Sequence, residues 1–147
     1  MNRTQKDLLI NVFDSSFSFE ERALRVFDFQ LANNEVYSAY CKYLGISNSS
    51  QIADISQIPL LPIDAFKLSK IICGQQKYEH LFKSSGTSSM QRSTHYVKFL
   101  DVYRTSIFEG LKSIFPEFEN AIWLGFNPSY EDNPNSSLVW MIQHLID

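Results

Sequence analysis

The chain has 147 residues, a formal net charge of -3 and only 20% charged residues. That is one ordinary domain's length, with the composition of a folded globular chain rather than a disordered one. An acidic balance and the lack of any Lys/Arg run exclude the electrostatic footprint of a nucleic-acid binder.

Twelve Phe and seven Tyr are an unusually rich aromatic load that needs partners to cover it. The two cysteines, Cys41 and Cys73, imply neither a disulfide framework nor metal-ligand spacing. Both read as small apolar free thiols rather than nucleophiles. The amino terminus carries no cleavable signal pattern, and no run of ~18 apolar residues spans a bilayer. A soluble, cytoplasmic protein is the default expectation.

Residues 5 to 45 read as helical. Ser18 and Glu21 form a capping-box pair, after which Ala23, Leu24, Phe27 and Leu31 recur on one helical face. Asn33-Asn34 interrupts the pattern. Val36, Tyr40, Tyr43 and Leu44 make a second stripe that stops at Gly45, a suitable C-terminal cap, and its tyrosines read as packing rather than as a ligand cage. Ile46 to Ser50 is a linker, and residues 1–57 are set apart as a helical segment from an α/β part at 58–147.

Pro59 and Pro62 predict an extended Ile58–Pro62, with Pro62 at or before the first turn of a short helix carrying Phe66 and Lys67. Ile71-Ile72-Cys73 reads as a short strand ended by Gly74. Tyr78–Lys83 alternates, with Tyr78, His80 and Phe82 on one side. Thr94–Phe99 is the returning strand of a hairpin.

Between these strands lies Ser84-Ser85-Gly86-Thr87-Ser88-Ser89, a turn of hydroxyls around a glycine. Small residues let the backbone approach a bound group, and successive N–H groups in such a turn converge on an anion. The plain alternative is a solvated surface loop.

Leu100, Tyr103, Ile107, Leu111 and Ile114 keep the 3.6 period of a long helix ended by Pro116. Ala121 to Phe126 is a continuous apolar run, as in an interior strand. After a loop at 127–135, Ser136 or Ser137 caps a helix through Leu145 that is apolar nearly all round. The order strand, helix, strand, helix predicts an α/β sheet with covered faces. That last helix needs burial the chain itself does not offer, so the chain is expected to be the front of something longer or to rely on a partner.

The hexad Ser84–Ser89 resembles the phosphate-binding loop of the adenylate-forming acyl- and aryl-CoA synthetases, usually Ser/Thr-Ser-Gly-Thr-Thr-Gly. The segment Ile58–Lys67, the hexad with Arg92, His95, Tyr96 and Val97, and Pro128–Glu131 with Ser136–Val139 together resemble the acyl-protein synthetase (LuxE) family. The likeness runs from about Ile58 to Asp147. Here the second glycine of the hexad is Ser89, and the basic residue is Arg92 rather than lysine.

The resemblance implies the front part of an adenylate-forming α/β sheet domain and an ATP-dependent ligase. A fatty acid is activated as acyl-AMP with release of pyrophosphate, then passed to a protein cysteine and on to an acyl reductase partner. ATP and Mg²⁺ are the implied cofactors. Ser84, Ser85, Gly86, Thr87, Ser88 and Ser89 match the phosphate loop; Ser129, Tyr130, Ser136 and Ser137 match a block that lines the acyl or adenylate pocket, although capping and turn roles suit these serines as well.

The motifs for adenine, ribose, the lid and the acyl-accepting cysteine are expected outside this chain, which alone would turn over little. No catalytic residue is assigned, since His95 suits a hydrogen-bonded structural role better than that of a base. The alternatives are a phenylacetate-CoA ligase-like or coenzyme synthetase fragment, and a non-catalytic interaction module pairing with a reductase-like protein or with itself through exposed apolar surface.

Overall fold

The computed structural model describes residues 11–74, 77–85, 91–126 and 131–146. It is a mixed α/β protein, about half helical, with a two-stranded antiparallel sheet. Its contacts divide it into one unit through Lys77 and another from Tyr78. No helix among the described residues is long and apolar enough to cross a membrane.

The first unit is built on an elbow of two helices, α1 (Phe19–Asn33) and α2 (Glu35–Tyr43). Ser18 and Glu21 form the expected capping box: the Glu21 N–H donates to Ser18 Oγ at 3.1 Å, and the Ser18 N–H to Glu21 Oε2 at 2.8 Å. These bonds satisfy two amides that a helix start leaves without partners. A single residue separates the helices. The Asn34 N–H closes α1 on the Gln30 carbonyl at 2.8 Å, while its side-chain oxygen accepts the Tyr37 N–H at 3.2 Å and opens α2.

Gly45 ends α2 as expected, at φ 79°. The Ile46 N–H donates to Cys41 O at 2.9 Å and the Gly45 N–H to Lys42 O at 3.0 Å, which together make a Schellman motif. It turns Ile46 back onto the core. That core is Phe27, Tyr37, Cys41 and Ile52, with Leu24, Leu31, Tyr40, Ile58 and Leu61 packed around it.

The apolar stripe of α2 is thus centred on Tyr37 and Cys41. Tyr43, expected on the packed face, is exposed, and so is Leu44. At ~100° per residue Tyr43 lies about 120° round the helix from Tyr37, and Leu44 sits where the chain already leaves the helix.

The proline segment lies with this unit. Ile58 is extended, and the Pro59 carbonyl accepts the Tyr37 hydroxyl at 2.8 Å. Pro62 precedes a short helix, α3 (Ala65–Leu68), whose Ala65 N–H bonds the Pro62 carbonyl. Ile71–Cys73 forms no strand. It docks instead against the end of α1, with Cys73 Sγ 3.1 Å from Gln30 Oε1 and the Gly74 N–H on Asn33 O at 2.6 Å, which satisfies the backbone without a sheet.

The second unit starts with the expected hairpin, β1 (His80–Lys83) and β2 (Thr94–Val97), in the register Phe82 opposite His95 and Lys83 opposite Thr94. Helix α4 (Leu100–Ile114) follows, then α5 (Ser137–Ile146). Phe99 has no side-chain oxygen to cap α4. Glu79 reaches over from the start of the hairpin and accepts the Leu100 N–H at 2.7 Å, a carboxylate suited to a helix start.

Ala121–Phe126, expected as an interior strand, is not one. It has no strand neighbour among the described residues, and Ile122, Leu124 and Phe126 are 89%, 77% and 97% exposed. Helix α5, expected to be covered on several sides, buries Val139 and Trp140 and leaves Leu138 and Ile146 exposed.

Burial, aided by the neighbouring Cys41 thiol, pushes the Tyr37 hydroxyl well above its ordinary value of 10.0. The unfolded chain gives up this proton first as pH rises, so stability is intact below pH 10 and falls above it, by up to about 1.4 kcal/mol per pH unit for one such group. Tyr37→Phe should be less stable at neutral pH, by about 1 kcal/mol for the lost bond to Pro59. It should also lose less stability between pH 9 and 11 than the native chain, as read from urea unfolding midpoints.

Candidate functional site

The candidate site is the neck of the hairpin and what is packed beside it. Hydrogen-bonded pairing continues one step past β1 and β2: the Ser84 N–H donates to Ser93 O at 3.1 Å, and Ser84 Oγ accepts the Ser93 N–H at 3.1 Å. Ser84 therefore closes the neck. Its amide is spent on that role and is not open to a ligand, while Ser85 beyond it is exposed. Gly86, Thr87, Ser88 and Ser89 lie outside the described residues. Two exposed cations flank the neck, Lys83 before it and Arg92 after it.

The segment carrying the second serine block lies along the outer edge of β1. Residues 81 and 83 of β1 point their backbone groups away from β2, and the Lys83 N–H donates to Asn135 O at 2.9 Å. His80 Nε2 is 2.9 Å from the Pro134 carbonyl. A carbonyl only accepts, so this nitrogen carries the proton. One residue beyond the Lys83–Asn135 bond stand Ser84 on one segment and Ser136 on the other. The structure thus brings Ser84 and Ser136 together, from blocks about fifty residues apart in sequence.

Ser136 is the cap of α5: its Oγ accepts the Val139 N–H at 3.3 Å and its carbonyl accepts the Trp140 N–H at 3.0 Å. Ser137, the first helical residue, hydrogen-bonds the Tyr103 side chain. Ser129 and Tyr130 lie outside the described residues.

Aromatic packing holds this arrangement from behind. Phe82, 3% exposed, sits between Tyr103 at 5.2 Å and Trp140 at 6.2 Å between ring centroids, and Tyr103 and Trp140 are 5.2 Å apart. His80 meets Phe82 edge-on at 4.7 Å, and His144 stacks on Trp140 at 3.6 Å while its Nδ1 bonds the Trp140 carbonyl. Burial pushes the Tyr103 hydroxyl above its ordinary value, with the Ser137 bond acting the other way. His95 faces the same side of the hairpin as Phe82, by register.

Sequence reasoning ranked His80 and His144 behind His95 and treated Tyr103 only as a stripe residue. The signal for Tyr103 was present: a tyrosine on the packed face of a helix brings a hydroxyl that needs a partner.

Elsewhere, Cys41 is fully buried, and that burial raises its thiol against an opposing bond from Tyr37. It is no exposed nucleophile. A cleft of about 480 Å³ opens at the α1–α2 elbow, lined by Leu31, Asn34, Glu35, Ser38, Lys42 and Gly74 among others, and contains none of the expected site residues. Among the described residues no three His, Cys, Asp or Glu side chains gather as metal ligands.

No family model, curated protein or solved structure matches the chain.

Phe82 is the keystone of the packing behind the site. Phe82→Ala should cost about 3–5 kcal/mol in urea unfolding and broaden the backbone resonances of Lys83, Ser84 and Ser136. Sharp, unshifted resonances for those residues would show that the neck stands without it.

Proposed function

We propose that this chain carries the phosphate-loop region of an ATP-dependent, acyl-adenylate-forming ligase like the acyl-protein synthetases, within the front part of an α/β domain of that kind. The observation that carries the reading is the meeting of Ser84 and Ser136. A hairpin holds the hydroxyl-rich loop at a tied neck, and the second serine block is bonded to the neighbouring edge through Lys83 and Asn135. The loop hexad and the serine block are the segments whose resemblance suggested nucleotide binding.

The donor set suits a polyphosphate. Ser85 offers an exposed hydroxyl, and Lys83 and Arg92 add positive charge at the neck. Mg²⁺ would be held chiefly by phosphate oxygens and water, as is usual for this ion, and would neutralise the charge of the departing pyrophosphate. The chain's own contribution is to bind and orient that group with hydroxyls and main-chain N–H groups. With Cys41 buried, the acyl-accepting cysteine of such an enzyme is sought elsewhere.

Calorimetric titration with ATP and Mg²⁺ tests the loop. The double variant Gly86→Val, Thr87→Ala should bind at least ~10-fold more weakly, a loss of ~1.4 kcal/mol; heats indistinguishable from the native chain's would remove the basis of the proposal. Exchange of labelled pyrophosphate into ATP, driven by long-chain fatty acids and then by phenylacetate, separates the acyl-protein synthetase reading from a phenylacetate-CoA ligase-like one.

A second reading, an interaction module, is favoured by one observation: Ile122, Leu124 and Phe126 alternate along an extended segment with their side chains in solvent. Under this reading the native chain elutes as a concentration-dependent oligomer in size exclusion with light scattering, and Leu124→Asp returns it to a monomer. A native chain that is monomeric at every concentration counts against self-association.

A further inference from the structure

The segment from Pro134 to Ser137 is held to the hairpin at points of different chemistry. His80 bonds the Pro134 carbonyl from a side chain, the Lys83 backbone bonds the Asn135 carbonyl, and Tyr103 of α4 bonds Ser137 at the first residue of α5. The first two act along the edge of β1. Only the third comes from a helix, and only it engages α5 directly. Tyr103 is also wedged between the rings of Phe82 and Trp140, one from the hairpin and one from α5, so its hydroxyl has little freedom to swing away.

We propose that Tyr103 is a positioning residue, which acts through Ser137 to fix the first turn of α5 beside the hairpin neck and so sets Ser136 against Ser84. It touches no ligand itself. The role in binding rests on the nucleotide reading above; the placement of α5 does not. Removing the hydroxyl while keeping the ring leaves the aromatic packing in place but frees the Ser137 end, so the bonds that depend on a fixed α5 start, Lys83 N–H to Asn135 and Val139 N–H to Ser136, open more often.

The test compares the native chain with Tyr103→Phe, Ser137→Ala and the double variant by amide hydrogen exchange, thermal melting and titration with ATP and Mg²⁺. Exchange at the Lys83 and Val139 amides is expected to quicken about 10-fold in each single variant and no further in the double, since both changes remove the same bond. Melting temperature should move by only a few degrees, and ATP affinity should fall several-fold in the same non-additive way. A merely structural tyrosine would lower the melting temperature and spare the affinity measured well below it.

Unchanged exchange at Lys83 and Val139 in Tyr103→Phe overturns the positioning role, whatever ATP does. So do losses that add in the double variant. A native chain that takes up no ATP, with exchange responding as expected, instead overturns the nucleotide reading and leaves Tyr103 as the residue that places α5.

Discussion

The second unit depends on one backbone hydrogen bond made sideways, from the Lys83 amide at the outer edge of a two-stranded hairpin to the carbonyl of Asn135. An isolated hairpin is marginal in water, and its outer edge is an invitation to unwanted pairing. Here a short irregular segment covers part of that edge, and two helices cover the Phe82 face. Satisfying the edge is also what draws the carboxy-terminal serines to the neck of the loop. Edge protection and site assembly are the same event.

Much of this was legible from sequence because it is local. The Ser18–Glu21 pair, the break at Asn34, the glycine that ends α2, the hairpin and the start of α5 at Ser136 are all set within a few residues, by capping chemistry, turn chemistry and alternation. The proline segment was likewise extended as read, because each proline restricts itself and its predecessor.

The misreadings are non-local. Ile71–Cys73 and Ala121–Phe126 both have the composition of strands, yet a strand exists only with a neighbour to bond. The first found its partners on the end of α1, and the second has none among the described residues. Tyr43 was placed on the packed face because its spacing allowed it; the Schellman turn at Gly45 brings the chain back over Cys41 instead. The candidate site was half visible. Each serine block could be named, but their meeting at Ser84 and Ser136, the spending of the Ser84 amide on the neck, and Tyr103's hold on Ser137 depend on tertiary packing that no spacing encodes.

Asn34 shows how tightly one residue can couple two elements. Its amide finishes α1, its carboxamide oxygen begins α2, and its carboxamide nitrogen, 3.0 Å from Gln30 Oε1, braces the joint, all with the side chain nearly shut off from water. Neither helix can unravel at this corner without depriving the other of its terminus. The bend between them is therefore a rigid joint rather than a hinge, and the amino-terminal unit loses its order there all at once or not at all.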